Sequence, residues 1–272
     1  MTAATRRWRL DVAYRGDGFH GFAAQPGMKT VSGELSESLA TVLRLDAPPP
    51  LVCAGRTDAG VHALGQVVHV DLPDPPGDGD DGDDEHGARI ARSCTKLLAP
   101  AIVVRSCTPA PEGFDARHAA TSRSYRYLVH EGPAASPLLD GLAWHVAGPL
   151  DLRAMAQAAY ALLGEHDFRA FCRRPSGTAP DHPITRRVLD VAVEPADDDA
   201  LLMGTGRLVR VSVTATSFCH QMVRSIVATL VGVGTHSLTA ADLTERLRTG
   251  ERAGLPAPAP PEGLCLVAVS YD

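Results

Sequence analysis

Long apolar runs are missing from this sequence of 272 residues. No run approaches the ~20 consecutive apolar residues that a helix needs to cross a lipid bilayer, so we expect no membrane contact. The basic start MTAATRRWRLDVAY continues into strand-like alternation and lacks the apolar core of a signal peptide. We therefore expect a cytoplasmic protein.

Closely spaced cysteines are also absent. The chain has six: Cys53, Cys94, Cys107, Cys172, Cys219 and Cys265. Because no C-x-x-C pair occurs, we expect reduced, partly buried thiols and neither a zinc site nor a disulfide framework. Cys219 precedes His220, but adjacent side chains on a helix diverge by about 100°, so a thiol–imidazole dyad is not expected. Metal-ligand spacing and phosphate-binding glycine loops are missing too, and we predict no metal and no cofactor.

Lysine is scarce, since all but two of the 26 basic residues are arginine, the exceptions being Lys29 and Lys96. Arginine suits bidentate phosphate contacts and stacking on bases. A GC-rich genome would produce the same bias, together with the abundance of alanine, glycine and proline. The clusters Arg173–Arg174 and Arg186–Arg187 are candidate phosphate contacts or ordinary solvated surface.

The negative net charge has a local origin. Seven acidic residues and no basic residue lie between Asp74 and Glu85, and without them the formal charge of −6 would become +1. Phosphate binding depends on local patches, so the net charge does not exclude a nucleic-acid partner. The surrounding segment Pro73–Gly87 is rich in Asp, Gly and Pro, and it is predicted to be a mobile surface loop.

The segment Cys53–Asp71, CAGRTDAGVHALGQVVHVD, places one carboxylate, Asp58, in a polar turn. Strand-like apolar runs flank the turn at Leu51–Ala54 and Gln66–Val70. Loop residues held between strands are frequent sites of function. Arg56 can fold back toward Asp58 and keep it ionised, as a nucleophile must be. An Asp followed by Ala-Gly is also an ordinary turn or cap former.

The first ~108 residues have the order β-α-β-β-α-β, which is typical of a ferredoxin-like unit. The predicted elements are strands Trp8–Tyr14, Leu51–Ala54, Gln66–Leu72 and Ile102–Cys107, with helices Val31–Leu45 and Ala88–Leu98.

A proline-containing joint at Thr108–Glu112 separates predicted domains 1–108 and 109–272. The second domain is predicted to contain strands Ser122–Val129, Trp144–Val146, Arg187–Val193, Leu208–Ala215 and Leu264–Tyr271, with helices Leu152–Leu163, Cys219–Val233 and Ala240–Leu247. Thr239 is the predicted N-cap of the last helix.

The run GRTDAGVHALGQVVH resembles the signature of the tRNA pseudouridine synthase A family. Four later segments resemble further blocks of that family, in the same order: GFDARHAATSRSYRYLV, GEHDFRAFC, FCHQMVRSIV and EGLCLVAVSY. The resemblance implies an α+β fold in which two ferredoxin-like (RRM-like) α/β halves, with antiparallel or mixed sheets, join around a central cleft.

The resemblance also implies an activity, the isomerisation of uridine to pseudouridine at positions 38–40 of the tRNA anticodon stem-loop by a homodimer. Asp58 takes the place of the family's catalytic aspartate, and Tyr125 that of the tyrosine that packs on the uracil. Arg224 takes the place of an arginine that pairs with the aspartate, although an arginine in an apolar helix can also extend its head to solvent. Arg56 matches the arginine that draws the nucleotide inward. Tyr127, on the same strand face as Tyr125, is either core or site.

Some positions depart from the family pattern. Arg15, Phe22 and Ala23 stand where the family has Asp, Trp and Gln, and Thr95 stands where it frequently has Asn. These changes affect substrate contacts or packing and leave Asp58 in place.

The chemistry leaves alternatives open. A carboxylate near the anomeric carbon can stabilise positive charge on the sugar, add covalently or remove a proton. The target base must leave its stack to be reached. A non-catalytic RNA-binding or tRNA-folding protein on the same scaffold, or a pseudouridine synthase for a different RNA, would have similar sequence features.

Overall fold

The computed structural model describes residues 5–73, 80–174, 177, 179, 181–196 and 206–271. The chain forms two compact units, one within Met1–Thr121 and Leu266–Asp272 and the other within Ser122–Cys265. Both units combine helices and strands, which agrees with the predicted α+β class. No helix among the described residues is long and apolar enough to span a membrane.

The first unit is built on a sheet with the strand order β4-β1-β3, in which β1 is antiparallel to both neighbours and the short β2 pairs with β3. Its elements are β1 Thr5–Tyr14, α1 Val31–Leu43, β2 Val52–Cys53, β3 His62–Pro73, α2 Asp80–Leu98 and β4 Ile102–Pro109. Inward residues of β1 alternate with exposed ones as the period of a strand requires, and Trp8, Leu10 and Val12 are fully buried. Thr30 caps α1 by accepting a hydrogen bond from the Gly33 N–H.

The acidic segment is the clearest difference from the prediction. Helix α2 begins at Asp80, not at Ala88, so the prediction of a mobile loop is wrong for 80–87. Residues 74–79 of the predicted loop lie outside the described residues. The physical reason is a tertiary contact, since Asp83 is buried and forms an ion pair with Arg6 of β1.

The second unit has the strand order β5-β9-β8-β7, with β6 parallel to β5. Its elements are β5 Ser122–Glu131, β6 Trp144–Val146, α3 Leu152–Ala159, β7 Gly164–Asp167, β8 Thr185–Pro195, β9 Arg207–Ala215, α4 Met222–Gly234 and α5 Ala240–Thr249. Helix α4 is buried almost all round, as its apolar sequence predicts. Thr239 caps α5, which confirms the predicted N-cap.

The chain leaves the first unit later than the predicted joint at Thr108–Glu112. Phe114 and Ala116 are buried in a cluster with Ala54 and Val67 of that unit. The Phe114 carbonyl accepts a hydrogen bond from Arg7, and the Ala116 N–H donates one to His69 Nδ1. These contacts hold the segment before β5 on the first unit.

The last strand, β10 Leu264–Ser270, crosses from the second unit back to the first. It pairs with β3, and the backbones approach closely at Gly65, where an added Cβ would overlap the Val267 carbonyl oxygen. The first unit is therefore completed by residues from the far end of the chain.

The cysteine prediction is wrong for one pair. Cys172 and Cys219 form a disulfide, with 5.8 Å between their Cα atoms. No local pattern indicates this pair, because the two residues are 47 positions apart and are brought together only by the tertiary fold. The other four cysteines are buried and belong to no disulfide of the described residues, which agrees with the prediction of reduced thiols for these positions.

Candidate active site

The turn that carries Asp58 joins β2 to β3 in an antiparallel hairpin. Beyond the last β2 pair, the Ala54 N–H donates to the Val67 carbonyl at 2.9 Å. The Val61 N–H donates to the Asp58 carbonyl at 3.2 Å and closes a four-residue turn. Gly60, the third residue of this turn, has φ +80°, a conformation that glycine adopts without steric cost. The predicted turn between strands is confirmed.

The loop after β1 packs against the backbone of the Asp58 turn. The Phe22 N–H donates to the Thr57 carbonyl at 3.0 Å, and the Gly16 N–H donates to His62 Nδ1 at 3.0 Å. Gly21 has φ +93°, and an added Cβ would lie 3.0 Å from the Thr57 carbonyl oxygen. Close approach of this loop explains why glycine stands at the contact.

A buried hydrogen-bond chain reaches the same turn from the sheet. The hydroxyls of Tyr14 and Thr57 lie 2.8 Å apart. Gln66 Nε2 donates to the Tyr14 hydroxyl at 3.3 Å and to the Gly55 carbonyl at 2.7 Å. The turn is thus fixed at Gly55 and at Thr57, on the N-terminal side of Asp58.

Asp58 is half-buried, whereas Arg56 is exposed. The fold-back of the Arg56 guanidinium toward Asp58 stays a prediction. Burial raises the pKa of the Cys53 thiol to about 11, and the nearby positive charge of Arg56 opposes this rise.

Tyr125 lies in β5 opposite Val213 of β9, and its side chain is 8% exposed. Its ring contacts Phe218 edge to face, with 5.1 Å between the centroids. Such a contact fixes the orientation of an aromatic ring. Sequence reasoning does not single out Phe218, whose signal is an aromatic residue just before an apolar helix.

Tyr127 is part of the core. It is fully buried, and its hydroxyl donates to the Pro260 carbonyl at 2.7 Å. Burial raises the pKa of this phenol, Glu262 raises it further and Arg224 lowers it. The structure therefore favours the core interpretation of the two that the sequence left open.

Arg224, in the first turn of α4, is half-buried. Its Nε donates to the Ala259 carbonyl at 2.6 Å, and the Ala259 N–H donates to the Arg224 carbonyl at 3.1 Å. The segment before β10 thus holds the Arg224 side chain at Nε. This geometry differs from an arginine whose head simply extends to solvent.

The candidate residues divide between the two units. Asp58 and Arg56 lie in the first unit, and Tyr125 and Arg224 lie in the second. Within the first unit, Tyr14, Thr57 and Gln66 were missed as site residues, because a hydrogen-bond chain among distant polar residues has no sequence pattern.

The departures from the family pattern have local partners. Arg15 forms an exposed ion pair with Asp17, and Phe22 is buried near the ring of Tyr14. The Thr95 hydroxyl donates to the Val104 carbonyl and accepts from the Val104 N–H, which ties α2 to β4. Thr95 thus has a structural role within the first unit.

Comparison with known proteins shows the family of this chain. A family model described as tRNA pseudouridine synthase matches residues 158–272. The chain is 42% identical over its whole length to tRNA pseudouridine synthase A of Frankia casuarinae, covering 91% of that protein. It is 41% identical to the protein of the same name from Cutibacterium acnes, over 97% of this chain and 88% of the relative. The chain belongs to the tRNA pseudouridine synthase A family.

Other tRNA pseudouridine synthase A proteins are similar over nearly the same span. The one from Gluconobacter oxydans is 37% identical over 97% of this chain and 90% of its own length. The family that the motifs indicated is therefore confirmed. The span of these matches includes both units.

Proposed function

We propose that this chain isomerises uridine to pseudouridine at positions 38–40 of the tRNA anticodon stem-loop, with Asp58 as the catalytic carboxylate. The class of reaction follows from the family, whose members are isomerases that act on tRNA. The observation that carries the assignment of the residue is the half-buried carboxylate in a hairpin turn whose backbone is fixed on several sides. Rigid placement of a reacting group is a large part of catalysis.

The reaction breaks the bond between the ribose and uracil N1, turns the base and joins C1′ to C5, after which C5 loses its proton. Uracil N1 keeps the electron pair of the broken bond and takes up a proton, which balances the proton lost from C5, so no oxidant or reductant is needed. Positive charge develops on the sugar as the bond breaks, and the Asp58 carboxylate stabilises it or adds to C1′. The same carboxylate can accept the C5 proton at the end.

The other candidate residues have supporting roles in this proposal. Tyr125, with its ring fixed by Phe218, receives the face of the extruded uracil. Arg56 is exposed and guides the phosphate of the flipped nucleotide, and Arg224 is a cation for substrate binding. The ion pair between Arg224 and Asp58 that the resemblance implies stays a prediction.

The proposal extends to the assembly and location of the protein. We propose a homodimer that works in the cytoplasm and binds the anticodon arm of tRNA, with two ferredoxin-like halves in each chain. These points rest on the family resemblance.

The test is to incubate the purified chain with an unmodified tRNA transcript that has uridine at positions 38–40 and to map pseudouridine by sequencing. We expect pseudouridine at these positions and none in a control transcript with cytidine there. Pseudouridine at other positions of the tRNA would show that positions 38–40 are not the target. Binding of tRNA without any pseudouridine would favour the non-catalytic RNA-binding alternative.

Substitutions of Tyr125 should separate the ring from the hydroxyl. We expect Tyr125→Phe to retain activity within about 10-fold, because the ring face is kept, and Tyr125→Ala to lose about 100-fold, because base–aromatic stacking contributes on the order of 1–3 kcal/mol. Single-turnover rates on the same transcript measure both. Equal losses in the two variants would show that the hydroxyl takes part.

A further inference from the structure

We propose that Tyr14, Thr57 and Gln66 are positioning residues, which fix the turn so that the Asp58 carboxylate meets the sugar in a reactive geometry. The inference rests on the proposed role of Asp58. It assigns a function to three residues that contact the turn and not the substrate.

All three side chains are buried, with exposures of 5% for Tyr14, 6% for Thr57 and 0% for Gln66. Burying polar groups costs free energy unless they are hydrogen-bonded, and apolar residues would fill the same space without that cost. The hydrogen bonds from Gln66 through Tyr14 to Thr57 therefore point to a role of these side chains beyond filling the core.

The hydrogen-bond chain holds the Asp58 turn at two points. Gln66 Nε2 reaches the Gly55 carbonyl at 2.7 Å, and the Tyr14 hydroxyl lies 2.8 Å from Thr57 Oγ1. These two anchors lie on either side of Arg56, and the second is adjacent to Asp58. Tyr14 ends β1 and Gln66 belongs to β3, so both anchors are carried by paired strands of one sheet.

Thr57 is held twice, since its carbonyl also accepts from the Phe22 N–H at 3.0 Å. Because its main chain and its side chain are both fixed, Thr57 sets the direction in which the backbone continues to Asp58. A displacement of about 1 Å at a reacting group can cost on the order of 100-fold in rate. Loosening the side-chain anchor should therefore slow the reaction without changing the surface that binds tRNA.

The first test is Tyr14→Phe, which keeps the ring against Phe22 and removes only the hydroxyl. We expect kcat to fall by about 10- to 100-fold and KM for tRNA to stay within about 2-fold. Tyr271→Phe is the matched control, because it removes a tyrosine hydroxyl of the same unit that donates to the Ala116 carbonyl at 2.9 Å. We expect its kcat to be within about 2-fold of wild type.

The second test uses Thr57 and does not depend on how well Tyr14→Phe folds. Thr57→Ser keeps a hydroxyl for Tyr14 and should keep kcat within about 5-fold, whereas Thr57→Val removes it and should lose about 10- to 100-fold. Valine has nearly the shape of threonine, so a purely steric role of Thr57 would preserve kcat in Thr57→Val. A higher kcat in Thr57→Ser than in Thr57→Val therefore supports the role of the hydroxyl.

The outcomes separate this inference from the proposed function. Wild-type kcat in Tyr14→Phe and Thr57→Val, in a protein that Asp58→Asn inactivates, would overturn the positioning role alone. Equal losses of kcat in Tyr14→Phe and Tyr271→Phe would also overturn it, since the effect would then follow general stability. Full activity of Asp58→Asn would instead contradict the proposed function itself.

Discussion

The Asp58→Asn variant is expected to form pseudouridine on the order of 10⁴-fold more slowly than wild type, the scale seen when a carboxylate that acts in the chemistry is removed from an enzyme. The amide has nearly the same shape, but it is neutral and can neither stabilise a cationic sugar nor add to it. Release of tritium from a transcript labelled at uracil C5 measures the reaction directly. Affinity for tRNA should stay within about 3-fold of wild type.

The fold should survive this change, because the turn is closed by the main-chain bond from the Val61 N–H to the Asp58 carbonyl. Asp71→Asn is a matched control, since it neutralises an exposed aspartate of the same unit whose partner is Arg7. Arg7 holds the pKa of Asp71 below its usual value, yet exposed pairs of this kind contribute at most about 1 kcal/mol. Equal rates of tritium release from wild type and Asp58→Asn would remove Asp58 from the mechanism.

The second large effect is expected for Gly16→Ala. An added Cβ at Gly16 would overlap the Val61 carbonyl oxygen and lie 2.8 Å from the carbonyl carbon of Gly60. Both neighbours are backbone of the Asp58 turn, so the turn has to move. We expect a loss of about 1–3 kcal/mol in the free energy of unfolding, as in other overpacked sites, and a rate about 100-fold lower.

Gly18→Ala is the control for this prediction, because nothing lies within 4 Å of a Cβ added there. Its stability should stay within about 0.5 kcal/mol of wild type, and its rate should be unchanged. Thermal unfolding and single-turnover rates of the two variants give the comparison. A Gly16→Ala protein with wild-type rate and stability would show that the turn tolerates displacement.

Sequence periodicity predicted most of the elements, because apolar alternation and helical spacing are local. The strand Trp144–Val146 has the predicted bounds, and α1 ends at Leu43, close to the predicted Leu45. The short strand Gly164–Asp167 was not predicted, since its four residues show no alternation of apolar and polar side chains.

The failures share one cause, which is dependence on distant contacts. Composition favoured a loop where α2 begins, but Arg6 on β1 compensates the buried Asp83. The Cys172–Cys219 pair likewise depends on residues far away from each other in the chain. Local patterns do not report such contacts.

The candidate site was predictable in part. A motif located the Asp58 turn and the helix that carries Arg224, because family signatures preserve short runs of residues. The sequence could not assign Tyr127 to the core, since Tyr125 and Tyr127 occupy the same face of β5 and the carbonyl that the Tyr127 hydroxyl contacts, that of Pro260, lies far away in the chain. It also could not reveal the chain through Tyr14, Thr57 and Gln66, whose members come from three separate segments.

The return of β10 to the first unit has a consequence for biosynthesis. A ribosome makes Gly65 long before Val267, yet the two meet between neighbouring strands. During translation, β3 therefore lacks one of its partners until almost the whole chain has emerged. A nascent chain stalled before Leu264 exposes that edge of β3, and unpaired strand edges of this kind promote aggregation.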